Sequence, residues 1–203
     1  MLKDIFAIRN YIEIWIKKMI DKKKRILEIA VQKKALEFGN FTLTSGETSS
    51  YYFDGRKLTL DPEASYLISE IFLPVVVASG AKFIGGPTVG ADPIVGSMIS
   101  LSFKNKTPIS GLIIRKETKS HGQQNLIEGS PVRGESVIIV DDTCSTGGSL
   151  IHSIAAVEKL GCSVNTVLCI LDRNMGGSDK IKASGYKFSS IFSTNSSGEL
   201  NIN

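Results

Sequence analysis

The sequence predicts an α/β fold with a mostly parallel central sheet flanked by helices, and three observations predict it. From residue 61 onward, short apolar runs alternate with amphipathic stretches of helical length, the pattern of βαβ units. One run, Val137-Ile138-Ile139-Val140, has no polar residue, as expected of a strand covered on both faces. The 203 residues are 42% apolar and 22% charged, enough for one packed core without a disulfide or metal. A single domain over residues 1–203 is therefore expected.

The elements follow in order. Ile5, Ile8, Ile12, Trp15 and Met19 recur at spacings of three and four, one helical stripe over residues 2–20. Packing on the body is favoured for that stripe over packing on a partner chain. A second helix is expected to begin at Asp21, carry Ile26, Leu27, Ala30 and Leu36, and end at Gly39. Asp61-Pro62-Glu63 starts another: an N-cap carboxylate, proline at the first helical position and an acidic first turn, running to Ser79-Gly80. Strands are expected at 82–84, 111–114, 136–140 and 165–171, with helices at 91–103 and 149–160, the last closed by Gly161. In such sheets ligands sit at the carboxyl ends of strands, so the chemistry belongs in the loops that follow them.

Charge narrows the partners. The net charge is +4, but residues 1–25 hold eight basic and three acidic side chains, which leaves the other 178 residues at −1. A nucleic-acid surface would spread its cations over the fold, so none is expected, and the N-terminal excess reads as solvated helix charge. Cys144, Cys162 and Cys169 are odd in number and form no Cys-x-x-Cys pair, which points to no disulfide framework or zinc site and to a reducing, cytoplasmic location. The most apolar uncharged run, residues 71–81, contains Pro74 and is too short to span a bilayer, so no membrane partner is expected.

The most informative string is Val137-Ile138-Ile139-Val140-Asp141-Asp142-Thr143-Cys144-Ser145-Thr146-Gly147-Gly148-Ser149. A buried strand ends in two carboxylates, then in small hydroxyl residues and glycines that open a helix. Successive backbone N–H groups in such a turn, with a helix N-terminus behind them, cradle an anion. No lysine follows the glycines, so this is not a Walker loop. Carboxylates repel a phosphate unless something neutral or cationic lies between, and a ribose 5-phosphate meets that need: its hydroxyls donate to the acids while its phosphate enters the turn.

This string resembles the phosphoribosyl-diphosphate signature of type I phosphoribosyltransferases. The resemblance implies that Asp141 and Asp142 bind the ribose diol and that residues 143–149 (Thr143, Cys144, Ser145, Thr146, Gly147, Gly148, Ser149) bind the 5-phosphate. A second string, Arg115-Lys116-Glu117-Thr118-Lys119-Ser120-His121-Gly122, continuing to Ile127-Glu128-Gly129, is similar to the catalytic loop of orotate phosphoribosyltransferases. Read alone, it is a solvated loop of three cations and a histidine. Beside a diphosphate ester it becomes a mobile lid that neutralises a leaving group. Residues 41–46 with Ser49-Ser50-Tyr51-Tyr52-Phe53-Asp54 are similar to the family's pyrimidine-binding segment, and Leu171-Asp172-Arg173 supplies its orotate-carboxylate arginine. The resemblance covers roughly residues 35–192.

What it implies is the type I fold with a small N-terminal hood, and transfer of phosphoribosyl from 5-phosphoribosyl 1-diphosphate (PRPP) to orotate in pyrimidine biosynthesis. Arg115, Lys116, Lys119, His121, Asp141 and Asp142 would be catalytic, the same residues with 143–149 would bind PRPP, and Ser145, Tyr52, Phe53 and Arg173 would bind orotate. Mg²⁺ would be held mainly by PRPP rather than by the protein, and the lid would be shared across a homodimer. The chain departs from the family at Thr44, where many members carry lysine, at Val89-Gly90, where some carry Tyr-Lys, and in the extra helix at 1–20. A transferase for another base, and a regulator that binds the donor without turnover, are the rival readings.

Overall fold

Strands of uneven burial separate into two sheets in the computed structural model, which describes residues 2–42, 48–117, 126–195 and 199–203. The central sheet holds β3 (Phe83–Pro87), β4 (Ser110–Ile114), β5 (Ile127–Glu128), β6 (Ser136–Cys144), β7 (Ser163–Asp172), β8 (Lys187–Thr194) and β9 (Leu200–Ile202). Their order is β5-β4-β3-β6-β7-β8-β9. The four inner pairings are parallel, and the edge strands β5 and β9 pair antiparallel. A separate antiparallel hairpin, β1 (Leu36–Thr42) and β2 (Thr48–Phe53), forms the expected hood, with a bulge between Phe38 and Phe41. This is the parallel α/β architecture that the alternation predicts.

Side-chain alternation along β6 divides the core between the two faces of the sheet. Ile138 and Val140 pack with Ile68, Phe72 and Val76 of α3 (Pro62–Ser79) and Ile94 and Met98 of α4 (Asp92–Lys104). Val137 and Ile139 pack on the other face with Leu150, Ile154 and Val157 of α5 (Gly148–Lys159) and Ile181 of α6 (Gly177–Ala183). Burial of one such aliphatic side chain is worth about 1.5–3 kcal/mol, so both faces hold the sheet firmly. The strand ends therefore stand on a rigid base.

The helix at Pro62 begins and ends as the sequence predicts. Asp61 accepts from the N–H groups of Glu63 and Ala64 at 3.1 and 3.0 Å, and Gly80 closes the helix in the left-handed region at φ 73°. The predicted helices at 91–103 and 149–160, and all four predicted strands, are present within a few residues of their expected bounds. A short helix, α2 (Arg56–Thr59), and the C-terminal elements α6, β8 and β9 had no predicted counterpart.

The N-terminus differs from the expectation. Residues 2–20 and the segment after Asp21 form one helix, α1 (Leu2–Gln32), because neither glycine nor proline interrupts the run and one N-cap-type side chain does not break the backbone ladder. The helix ends with Lys34 in the left-handed region at φ 52° and the Ala35 N–H bonded to the Ala30 carbonyl at 2.8 Å. Leu36 and Gly39 consequently lie in β1. Ile26, Ile29 and Ala30 are buried, but Ile12, Trp15, Ile16 and Ile20 on the preceding turns are 41–49% exposed. Of the predicted stripe, Ile12 and Trp15 are half-exposed, while Met19 is partly buried and lines a cavity with Trp15 against α3. Ion pairs from Lys22 to Glu70 (2.9 Å) and from Arg25 to Glu63 (2.7 Å) mark where α1 meets α3.

Asp61 caps α3 and also pairs with Lys33 of the α1–β1 connection at 3.0 Å, which holds its carboxyl below the usual range. Asp61→Ala should cost about 1–2 kcal/mol of stability in denaturant titrations at neutral pH. Because the folded carboxyl titrates below the unfolded one, that contribution is present above about pH 4 and fades as acid protonates the group. A variant as stable as wild type at pH 7 would remove the cap from this account.

Candidate active site

Loops from four parallel strands converge at their carboxyl ends. β6 carries Asp141 and Asp142 as its sixth and seventh residues, and its chain then turns through Ser145-Thr146-Gly147 into α5. Asp141 is 7% exposed, and its Oδ1 accepts the Asp142 N–H at 2.9 Å. Burial first, and then the Asp142 charge, pushes the Asp141 carboxyl up to about 8. Burial raises Asp142 as well, while Arg56 draws it down. Two carboxylates this close and this dry call for hydroxyl donors or a cation.

The turn after them is built for close approach. Gly147 caps α5 in the left-handed region at φ 80° and offers no side-chain cap, so the first helical amides lack the usual side-chain acceptor. An anion fits that place. Three glycines keep the approach clear. A Cβ on Gly90, in the loop after β3, would lie 2.7 Å from Oδ1 of both Asp141 and Asp142, and one on Gly55 would lie 2.6 Å from the Asp142 Cβ. A Cβ on Gly177, at the start of α6, would press into the Ser145 carbonyl and the Gly147 nitrogen. Gly177 instead donates its N–H to the Ser145 carbonyl at 3.0 Å and braces the turn from behind.

Opposite the turn stands Arg173, just beyond β7. Its Nη2 donates to the Phe53 carbonyl at 3.2 Å, and its guanidinium lies 5.5 Å from the Tyr51 ring centre. Its Nε is buried without a partner among the described residues. A buried guanidinium N–H left unpaired is costly, and a planar carboxylate satisfies it. Tyr52 is part-exposed with its ring 5.8 Å from that of Phe41, whereas the Phe53 ring is in the core and only its carbonyl reaches Arg173.

Arg115 and Lys116 begin the cationic loop directly after β4. Arg115 Nε donates to Glu128 Oε1 at 3.1 Å, and the Lys116 charge acts to lower the Asp141 carboxyl. Lys119 and His121 fall outside the described residues, as does Thr44. Cys144 is the last residue of β6 instead of part of the turn, and its buried thiol is pushed up to about 12, by burial first and then by Asp172. That thiol is a space filler with no nucleophilic character. His152, on α5, is exposed, with Nε2 3.1 Å from the Arg115 carbonyl.

The structure thus brings Asp141, Asp142, the residue 143–149 turn, Lys116 and Arg173 to one end of the sheet. Sequence reasoning missed Tyr51, Gly177 and the Asp54–Arg56 pair, whose Oδ1–Nε contact is 2.8 Å. Strand periodicity held the signal for Tyr51: it shares a face with Phe53, and Tyr52 points the other way. A cavity of about 550 Å³ between α1 and α3, lined by Trp15, Met19, Leu73 and Pro74, shares no residue with this cluster. Size alone does not locate the chemistry; converging charge and unpaired donors do.

Comparisons with known proteins identify the family of the fold. A family model for the phosphoribosyl transferase domain matches residues 82–196. An orotate phosphoribosyltransferase of Rhodopirellula baltica is 35% identical over 167 residues, covering 79% of this chain and 86% of that one. The crystal structure of the Mycobacterium tuberculosis orotate phosphoribosyltransferase superposes with a TM-score of 0.71 at 32% identity, over 85% of this chain and 96% of that one. The same enzyme in complex with PRPP superposes at 0.60 with 31% identity, over 70% and 80%.

The raised Asp141 carboxyl has a measurable consequence. Unfolded, it titrates near about 3.9, so between about pH 4 and 8 the folded protein holds a proton that the unfolded chain has released, and stability falls as pH climbs through that interval. Asp141→Asn removes the burden. Its ligand-free melting temperature should exceed that of wild type by a margin that widens from about pH 5 to about pH 8. A margin independent of pH would contradict the buried-charge account.

Proposed function

Since the chain belongs to the phosphoribosyltransferase family, among the orotate phosphoribosyltransferases, we propose a residue-level account of how it transfers phosphoribosyl from PRPP to orotate, giving orotidine 5′-phosphate and diphosphate. The observation that carries it is the acidic pair of β6 set immediately before an uncapped helix N-terminus. The ribose hydroxyls donate to Asp141 and Asp142, and the 5-phosphate accepts from the turn amides and the hydroxyls of Thr143, Ser145 and Thr146. Gly90 and Gly55 leave room for the sugar beside the acids.

The bond between C1 of the ribose and the diphosphate oxygen breaks as the bond to N1 of orotate forms, and the N1 proton leaves. Positive charge develops at the ribose ring, where the Asp141–Asp142 pair meets it, while negative charge grows on the departing diphosphate. In this reading Arg115, Lys116 and Lys119 meet that charge from the lid, and His121 would give a hydrogen bond or a proton. Arg173 holds the orotate carboxylate with its unpaired Nε, between Tyr51 and the Phe53 carbonyl, and Tyr52 and Ser145 border the ring.

Mg²⁺ fits this donor set through the substrate. Its ligands would come mainly from the diphosphate and ribose oxygens, with the acidic pair beneath. Bound there, the ion neutralises diphosphate charge. The family's lid reaches a neighbouring subunit, so the working form in this reading is a homodimer in the cytoplasm. A regulator that only stores the donor would have no use for an orphaned arginine facing a second, planar ligand.

The reading is tested by orotate consumption with PRPP, with and without Mg²⁺, against a panel of other bases. Orotate should be used only when both PRPP and Mg²⁺ are present, and preference for another base would overturn the assignment. Lys119→Ala should lower kcat by roughly one to several orders of magnitude with PRPP affinity nearly kept, as for a contact made in the transition state. Arg173→Lys keeps the charge but loses the planar fork, so it should raise KM for orotate by roughly tenfold or more while sparing KM for PRPP.

A further inference from the structure

We infer that Thr194 is a positioning residue for orotate recognition, its hydroxyl and its carbonyl holding two walls of the slot in which Arg173 lies. The inference rests on the reading of Arg173 as the arginine that meets the orotate carboxylate. It begins from the place of Thr194 in the fold. The residue closes β8, beside the end of β7, and is 2% exposed. Its hydroxyl lies 3.4 Å from the Tyr51 hydroxyl, and its carbonyl accepts from Asn174 Nδ2.

Both partners are immediate neighbours of Arg173. Tyr51 belongs to β2 of the hood, and its ring centre lies 5.5 Å from the guanidinium. Because Tyr51 is buried, the hydroxyl at the end of its ring needs a partner, and Thr194 supplies one. Asn174 follows Arg173 in the chain. It stands in the left-handed region at φ 49°, a conformation that asparagine tolerates better than most residues. Its N–H donates to Asp172 Oδ1 at 2.9 Å and its side chain donates to the Thr194 carbonyl. The Arg173 N–H itself donates to the Cys144 carbonyl at 2.8 Å, so the backbone at the root of the arginine is held at each residue.

One buried residue thus joins the hood to the turn that carries the arginine. The hood and the central sheet are separate sheets, so side-chain contacts such as Tyr51 with Thr194 and Arg173 with the Phe53 carbonyl set how far the hood stands from the strand ends. Arg173 Nε is the donor left without a partner among the described residues, and its direction follows from the ring on one side and the turn on the other. A planar fork grips a carboxylate only when both of its N–H groups are aimed, so a loosened wall weakens the grip while the charge remains. Thr194 touches no substrate in this reading; it acts on Arg173 through Tyr51 and Asn174.

The test compares Thr194→Val, which keeps the shape and removes the hydroxyl, with Thr194→Ser, which keeps the hydroxyl. Tyr51→Phe removes the same contact from its other end and serves if the valine variant folds poorly. KM for orotate should rise by about threefold to tenfold in the valine and phenylalanine variants, with kcat and KM for PRPP within about twofold of wild type. The serine variant should stay near wild type in all three. Combining Thr194→Val with Tyr51→Phe should cost no more than either change alone, because no hydroxyl is then left unpaired. A readout without substrate is the side-chain Nε–H signal of Arg173 in the NMR spectrum, identified by its loss in Arg173→Lys. That proton should exchange with water faster in the valine and phenylalanine variants than in wild type and the serine variant. Wild-type protein that fails to consume orotate would sink the functional reading, and the exchange measurement would still decide the tether. Wild-type KM for orotate with wild-type exchange in both variants would overturn the inference. So would an equal rise in both KM values, or a serine variant as impaired as the valine one, since either would make the role one of general packing.

Discussion

Everything at the carboxyl end of this sheet depends on keeping two acidic side chains side by side where burial disfavours their charged forms. Asp141 and Asp142 follow four buried apolar residues of β6, so the core that stabilises the strand also strips water from its acids. Glycine at 55 and 90 brings backbone rather than side chain against them, and that closeness deepens the burial. Burial and mutual repulsion oppose ionisation of the pair, and a sugar diol would supply hydrogen-bond donors to both acids. Function here is bought with stability, at a position where an amide would fold more comfortably.

The fold was legible wherever local chemistry and global packing agreed. Asp61-Pro62 at one end of α3 and Gly80 at the other satisfy backbone groups through covalent neighbours, so sequence alone places both ends. The β6 run and its acids likewise announce themselves within thirteen residues. The N-terminus was less legible because Asp21 is a competent N-cap, yet it sits inside a run of good helix formers that need no cap. How far the stripe that includes Ile12, Trp15 and Met19 packs depends on how far the body extends beneath it, which no residue in the stripe encodes.

The site was legible in its charges and opaque in its supports. Arg173 was visible as a strand-end arginine, but the missing partner of its Nε exists only once Tyr51 and the Phe53 carbonyl enclose it. Gly177 lies thirty residues beyond the turn that it braces, and its short contact with Ser145 arises from parallel pairing of β6 with β7. Each miss is a tertiary relation between segments that the sequence keeps apart.

The chain contains one tryptophan, and it stands half-exposed on α1 at the rim of the cavity against α3. Its indole emission therefore samples the surroundings of that cavity, whereas the strand ends are populated by tyrosine and phenylalanine. Filling of the sugar-phosphate crevice would be optically quiet in that channel, and a spectral shift of the intrinsic fluorescence would instead report something coming to rest against the first turns of the chain.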